Sequence, residues 1–357
     1  STGKVNVSYY NENLQLGSSV NLNVEQGKSY YLKLDNTYLK LKEVDKDTWE
    51  KEFNNNKLAV VQNLFEDVND PFVKKDVSSV DNITSKEKKI KIVSDVDNEI
   101  PVNSEIKQNT YALIIGNEDY SSFQPDLSNE VNAEFALNDA KVFKEYCIKT
   151  LGIPEKQVKL LANATVGQMR QGIAWINNLA KIDNGKAELI FYYSGHGLPD
   201  EKTKEPYLIP VDISGSSVTL GVKLSEVYEK LTEYPSQRVI VFLDACFSGG
   251  ARNQGLIAMK GVKVKPKENL IHGNMVVFAS STGDESSGVY RDKQHGYMTY
   301  FLLKKLKESK GDITFNELAN YVIECVKKET ALDSKIQTPQ LNFSQSIENT
   351  WSDWNFK

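Results

Sequence analysis

Two segments of the sequence end in side chains suited to thiol chemistry. In one, the apolar run Arg238-Val239-Ile240-Val241-Phe242-Leu243 stops at Asp244 and continues Ala245-Cys246-Phe247-Ser248-Gly249-Gly250. In the other, fifty positions upstream of the cysteine, Leu189-Ile190-Phe191-Tyr192-Tyr193 runs into Ser194-Gly195-His196-Gly197. A thiol attacks an amide carbonyl as thiolate, and the amine departs only once protonated; one imidazole beside the sulfur serves both steps. The oxyanion formed on the way needs fixed N–H donors, and the backbone N–H groups of Cys246 and Gly197 are the candidates. If the two runs are neighbouring strands of a parallel sheet, both side chains emerge at its carboxyl edge, where open α/β sheets place their sites. Gly195 and Gly197 around His196, and Ser248-Gly249-Gly250 after Cys246, are expected to turn the chain sharply and keep that edge open.

The remaining cysteines and histidines read differently. Cys147 shares an apolar helical face with Ala140 and Phe143, and Cys325 one with Val322 and Val326, so both are expected to be core packing. Three cysteines make no disulfide framework, and the three histidines are too scattered among them for a zinc site. His272 and His295 stand in polar, Gly-flanked contexts and are expected at the surface, with substrate contact as the alternative for His295.

Positioning the pair requires a sheet. Strands are expected at Tyr111 to Ile115, Gln157 to Leu161, Glu188 to Tyr193, Arg238 to Leu243 and Met275 to Ala279. Between and after them, amphipathic helices are expected at Asn138 to Thr150, Thr165 to Ala180, Lys223 to Tyr234, Met298 to Lys307 and Phe315 to Lys328. Near-continuous apolar strands alternating with such helices mean an α/β fold with a mainly parallel central sheet covered on both faces.

The first 70 or so residues have another character. Short β-rich runs at Val5 to Tyr10, Val20 to Val24, Tyr30 to Leu34 and Tyr38 to Leu41, punctuated by Gly and Asn, predict a small antiparallel β-rich module. Trp49 to Phe53 and Leu58 to Phe65 are expected to pack on it. Residues 71–109, rich in Lys, Asp and Ser, read as a solvated linker or wrapping arm. Hydrophobic content of 40% and charged content of 25% are those of an ordinary globular chain. The net charge of −5 argues against nucleic acid as the main partner, and no run approaches the ~20 apolar residues that span a bilayer. The chain starts at Ser1 rather than Met, which reads as a trimmed start and leaves exported and cytoplasmic locations both open.

Taken together, Tyr111-Ala112-Leu113-Ile114-Ile115-Gly116-Asn117, Asn138-Asp139-Ala140, Tyr193-Ser194-Gly195-His196-Gly197, Ile209-Pro210-Val211-Asp212, Asp244-Ala245-Cys246-Phe247-Ser248-Gly249 and Gln337-Thr338-Pro339-Gln340-Leu341 resemble the caspase-like cysteine peptidases. Within them, the chain is most similar to the metacaspases and their bacterial relatives. The resemblance covers residues 110–345, leaving 346–357 as a C-terminal tail, and does not explain residues 1–109. It implies a caspase-like fold and a cysteine endopeptidase with His196 and Cys246 as its dyad. Caspases proper have Gln where this chain has Asp244; metacaspases have Asp there and cut after Arg or Lys. By the same resemblance Asp139 and Asp244 line the specificity pocket, with Ser194 at its wall. Two carboxylates without a basic neighbour favour a cation, and Arg over Lys through a bidentate contact. The alternative for Asp139 is a first-turn residue placed for the helix dipole. Asp284 and Glu285 are expected to add acidic character to the cleft.

Three further expectations follow. The loop 251–273, with Arg252, Lys260, Lys263, Lys265 and Lys267, is a candidate for self-cleavage, against a solvated loop of no special role. Many metacaspases need calcium; Asp200, Glu201, Glu205 and Asp212 supply carboxylates after His196, but Asn253 stands where an acidic residue is expected, so calcium is possible and no ligand is assigned. The β module is expected to dock on the catalytic domain, to cover the cleft or to bind a partner. The competing functions are a catalytically inactive caspase-like scaffold and a thiol hydrolase acting on small molecules.

Overall fold

The structure, a computed structural model, describes residues 94–124, 132–247, 265–283 and 285–356 in full, together with the backbone of four strands within residues 2–44. The chain divides into two units, Ser1–Lys86 and Glu87–Lys357. In the first unit, β1 (Thr2–Asn11) pairs antiparallel with β2 (Leu16–Glu25), and β3 (Tyr31–Asp35) with β4 (Lys40–Val44). The runs Val5 to Tyr10 and Val20 to Val24 fall within β1 and β2, while those at Tyr30 to Leu34 and Tyr38 to Leu41 overlap β3 and β4 only in part. Trp49 to Phe53 and Leu58 to Phe65 lie outside the described residues.

The second unit begins β5 (Thr110–Gly116), α1 (Ala136–Lys149), β6 (Val158–Ala162), α2 (Val166–Asp183) and β7 (Glu188–Pro199). It continues β8 (Pro206–Leu208), β9 (Val222–Lys223), α3 (Leu224–Thr232), β10 (Arg238–Cys246) and β11 (Met275–Ala279). The short pair β12 (Val289–Tyr290) and β13 (His295–Gly296) precedes α4 (Tyr297–Ser309), α5 (Phe315–Leu332) and β14 (Gln340–Phe343). The main sheet has the order β14-β11-β10-β7-β5-β6. β11, β10, β7, β5 and β6 are parallel to one another, and β14 closes one edge antiparallel. The expected α/β layering is present: a mainly parallel sheet with helices on both faces.

Alternation along the strands decides which helix packs where. Ile114, Ile190, Tyr192, Ile240, Phe242, Val276 and Phe278 point to one face, against α1, α4 and α5. Leu113, Ile115, Phe191, Tyr193, Val241 and Leu243 point to the other, against α2 and α3. Phe143 of α1 stacks on Tyr192 with ring centroids 4.4 Å apart, a contact that adds about 1 kcal/mol to burial alone. Thr165 and Thr314 start α2 and α5 with capping boxes closed by Gln168 and Glu317.

Both chain segments flanking the sheet are fastened to it. Val96 is fully buried, and its carbonyl accepts from the Tyr146 hydroxyl at 2.9 Å. At the other end, Phe356 is buried against Phe315, and the Phe315 N–H donates to the Trp354 carbonyl at 2.6 Å. Among the described residues no helix is long and apolar enough to cross a membrane.

Candidate active site

Cys246 and His196 are paired in register on β10 and β7. Adjacent strands lie about 4.8 Å apart, and parallel register partners present their side chains to the same face. The two residues therefore share the carboxyl edge at the centre of the sheet, with Asp244 opposite Ser194 two residues before them.

The strands run farther than the apolar pattern indicated. β7 continues through Ser194, Gly195 and His196 to Pro199, and β10 through Asp244 to Cys246. The glycines beside His196 do not turn the chain; they answer to close packing. A Cβ on Gly197 would stand 2.6 Å from the Phe247 ring and 2.9 Å from the Cys246 carbonyl, and one on Gly195 2.8 Å from the Tyr193 hydroxyl. β8 extends the pairing of β7 past the histidine, at Gly197, Leu198 and Pro199.

The same pairing aims a backbone donor. The Ser194 and His196 carbonyls accept from the N–H groups of Asn117 and Ile209, so both face the β5 side of β7. In a trans peptide the following N–H points the opposite way, and every peptide here is trans. The Gly197 N–H is thus directed toward β10, the side of Cys246.

Tyr120, which the sequence reading passed over, seats the histidine. Its ring lies 4.6 Å from the His196 ring, its hydroxyl accepts from the His196 N–H at 3.1 Å and donates to the Ile209 carbonyl at 2.8 Å. The Tyr193 hydroxyl donates to the His196 carbonyl at 2.7 Å.

The thiol is covered. Cys246 Sγ accepts from the Ser287 N–H at 2.6 Å and lies 3.8 Å from the Glu285 carbonyl. Cys246 and His196 are each only 2% exposed. The covering segment is braced by the Gln337-Thr338 pair singled out in the sequence. The Glu285 carboxylate accepts from the Thr338 N–H at 2.6 Å and its hydroxyl at 3.1 Å. Gln337 Oε1 accepts from the Gly288 N–H at 2.8 Å, while its Nε2 donates to the Ser280 carbonyl at 2.9 Å. Glu285 is thereby a brace and not an open acidic group of the cleft; Asp284 lies outside the described residues.

Asp139, Ser194 and Asp244 come together, all fully buried. Ser194 Oγ donates to Asp139 Oδ2 at 2.9 Å. Asp244 Oδ2 accepts from the Thr299 hydroxyl at 2.6 Å and the Thr299 N–H at 3.2 Å, and the Tyr192 hydroxyl is 2.6 Å from the Thr299 hydroxyl. Asp139 does occupy the first turn of α1, yet its carboxylate is spent on groups outside that helix. Leu137, not Asp139, shows how the helix start is capped: its N–H donates to the Glu118 carboxylate at 2.9 Å.

His295 corrects an expectation. It is not a surface histidine but fully buried, because the β12–β13 turn carries it inward between two carboxylates. Nδ1 lies 2.8 Å from Asp139 Oδ1 and Nε2 2.8 Å from Asp97 Oδ1. Burial alone would push its pKa down, but the hydrogen bonds and charges of Asp139 and Asp97 outweigh this and raise it to about 9. The ring is therefore an imidazolium at neutral pH. His272 is exposed. Cys147 is fully buried, its thiol pushed up by burial, and Cys325 is half-buried beside the same core.

The carboxylates after His196 do not converge. Asp200 Oδ1 accepts from Thr203 N–H and hydroxyl, Asp212 Oδ1 from the Val166 N–H, and Glu205 Oε2 pairs with Lys267 at 2.6 Å and Lys223 at 3.4 Å. Lysine ammonium groups already neutralise the one buried member, so this set does not fit a calcium site. Of the loop 251–273, residues 251–264, including Asn253, lie outside the described residues.

The chain belongs to the caspase domain family of peptidases, whose family model matches residues 109–349. Two solved structures are similar at low identity. A Geobacter sulfurreducens protein shares 17% identity over 69% of this chain and 97% of its own, with a TM-score of 0.48. Caspase-1 from Spodoptera frugiperda shares 15% over 69% of this chain and 90% of its own, with a TM-score of 0.44. No curated protein sequence matches.

Proposed function

We propose that the chain is a cysteine endopeptidase that uses His196 and Cys246 as a dyad and cleaves after basic residues. The observation that carries this reading is the register pairing of Cys246 with His196 at the carboxyl edge. In the reaction, Cys246 Sγ attacks the scissile carbonyl as thiolate. The Gly197 and Cys246 N–H groups receive the oxyanion. His196 gives its proton to the departing amine, and water attacks the thioester with His196 as base to regenerate the thiol.

The segment 285–288 must lift from the sulfur before a peptide can enter. Two buried carboxylates support a basic residue on the amino side of the cut bond: Asp139, which accepts from Ser194, and Asp244, which stands opposite Ser194 in strand register. Much of the capacity of Asp139 is already taken by Ser194, His295 and Gly296, which weakens the bidentate argument for Arg over Lys without changing the sign of the charge sought. Self-processing in 251–273 fits the same specificity, with Lys267 set apart because Glu205 holds its side chain.

A peptide library in which the residue before the cut varies tests the proposal. Arg and Lys peptides are cleaved by the wild type and not by Cys246→Ala; cleavage after Asp contradicts the pocket. No cleavage at all favours the inactive scaffold, a reading supported by how deeply Cys246 is covered.

A further inference from the structure

Asp97, His295 and Asp139 form a line of carboxylate, imidazole ring and carboxylate, half-buried at Asp97 and fully buried at the other two, that joins three separate parts of the chain. Asp139 comes from α1, His295 from β13, and Asp97 from the segment that leads into the domain. Asp97 is set by its surroundings. Val96 beside it is fully buried. The Lys307 ammonium of α4 donates to the Asp95 and Asn98 carbonyls at 2.7 and 2.6 Å, and Lys293 pairs with Asp95 at 2.8 Å.

At the other end of the line, the Asp139 carboxylate is held by the ring and by other donors. The His295 ring and the Gly296 N–H meet Oδ1, and the Ser194 hydroxyl meets Oδ2. Asn138 adds a contact to the His295 ring at 3.4 Å. Two nearby cations in the sequence are paired elsewhere: Arg291 with Glu134 and Lys293 with Asp95.

We propose that His295 is a positioning residue of the specificity pocket: clamped by Asp97, its ring holds the Asp139 carboxylate in place against Ser194 and makes substrate affinity depend on the segment that enters the domain. The inference rests on the peptidase reading above. A charged ring at this place does two things. It sets a positive charge against the buried Asp139 carboxylate, 2.8 Å from the ring. It also orders Asp139 ahead of substrate binding, so less ordering remains when a cation arrives. Asp97 touches neither Asp139 nor the thiol in this arrangement, which makes it the place to loosen the clamp from outside the pocket.

The test uses the full chain with Asp97→Asn and His295→Gln. Proton NMR of the three histidine rings, with His295→Gln assigning the signal, reads the clamp directly in a Cys246→Ala background. The His295 ring is expected to stay charged through neutral pH, with its midpoint lowered toward the ordinary histidine range by Asp97→Asn. Steady-state kinetics on an Arg-terminated peptide reads the pocket. Asp97→Asn is expected to raise KM about tenfold, the order of one lost charged hydrogen bond, with kcat little changed. A ring that is neutral at pH 7 overturns the clamp. A lowered midpoint with KM unchanged overturns the positioning role and leaves a structural one. A wild-type chain that cleaves no peptide refutes the peptidase reading, and the pocket role with it, while the ring titration still decides the clamp.

Discussion

Cys246 and His196 face each other across two parallel strands because their chain positions fall at the same height of the sheet: Arg238 pairs with Glu188 at the bottom and every residue follows in step to the top. The register is fixed well below the site. Arg238 donates to the Glu188 carboxylate at 2.9 Å, and a slip of one residue would turn Ile240 and Phe242 away from α1 and α5. The geometry of the proposed dyad is thus inherited from core packing.

Removing either member of the pair should stop peptide cleavage. Cys246→Ala and His196→Ala are each expected to lower kcat by about a thousandfold or more, with circular dichroism and the unfolding midpoint near those of the wild type. Turnover of an Arg-terminated fluorogenic peptide checks this.

The thiol should be slow to react until its cover loosens. Gln337→Ala removes the ties from Gln337 to Gly288 and Ser280 without touching Cys246. Alkylation of Cys246 by iodoacetamide, followed by mass spectrometry, is expected to quicken about tenfold, since the cover limits access to the sulfur.

Stability should fall on the alkaline side. His295 has its pKa raised from 6.5 to about 9. A raised pKa stabilises the folded chain fully below the unfolded value and loses that contribution as pH passes the folded value. The unfolding temperature is therefore expected to decline between about pH 7 and about pH 10, and to decline less in His295→Gln. Calorimetry of the two proteins across that range is the check.

Thr299 should matter more than its distance from the thiol indicates. Its hydroxyl and N–H both donate to Asp244. Thr299→Val keeps the shape and deletes the hydroxyl, leaving a buried carboxylate short of a donor. A loss of about 1–3 kcal/mol in urea unfolding is expected, with weaker binding of basic peptides.

The sheet, its helices and the meeting of His196 with Cys246 were legible because apolar strands and amphipathic helices have distinct periods. The resemblance also singled out Asp139, Ser194 and Asp244, which the fold brings together. What the sequence hid depends on long-range contacts. Tyr120 reaches His196 from a loop 76 positions away, and Asp97 reaches His295 across 198. Neither pairing leaves a local pattern. The glycines misled for a related reason: tight packing against Phe247 and Tyr193 selects glycine as strongly as a turn does. His295 looked exposed because its neighbours Gln294 and Gly296 are polar or small, although they serve a turn that carries the ring inward.

The most direct measurement is covalent labelling by an Arg-terminated peptidyl chloromethylketone, mapped among the three cysteines. The account predicts modification at Cys246 in the wild type, none at Cys147 or Cys325, and near-abolition in His196→Ala. Labelling that ignores His196, falls on another cysteine, or proceeds equally with an Asp-terminated reagent would contradict it.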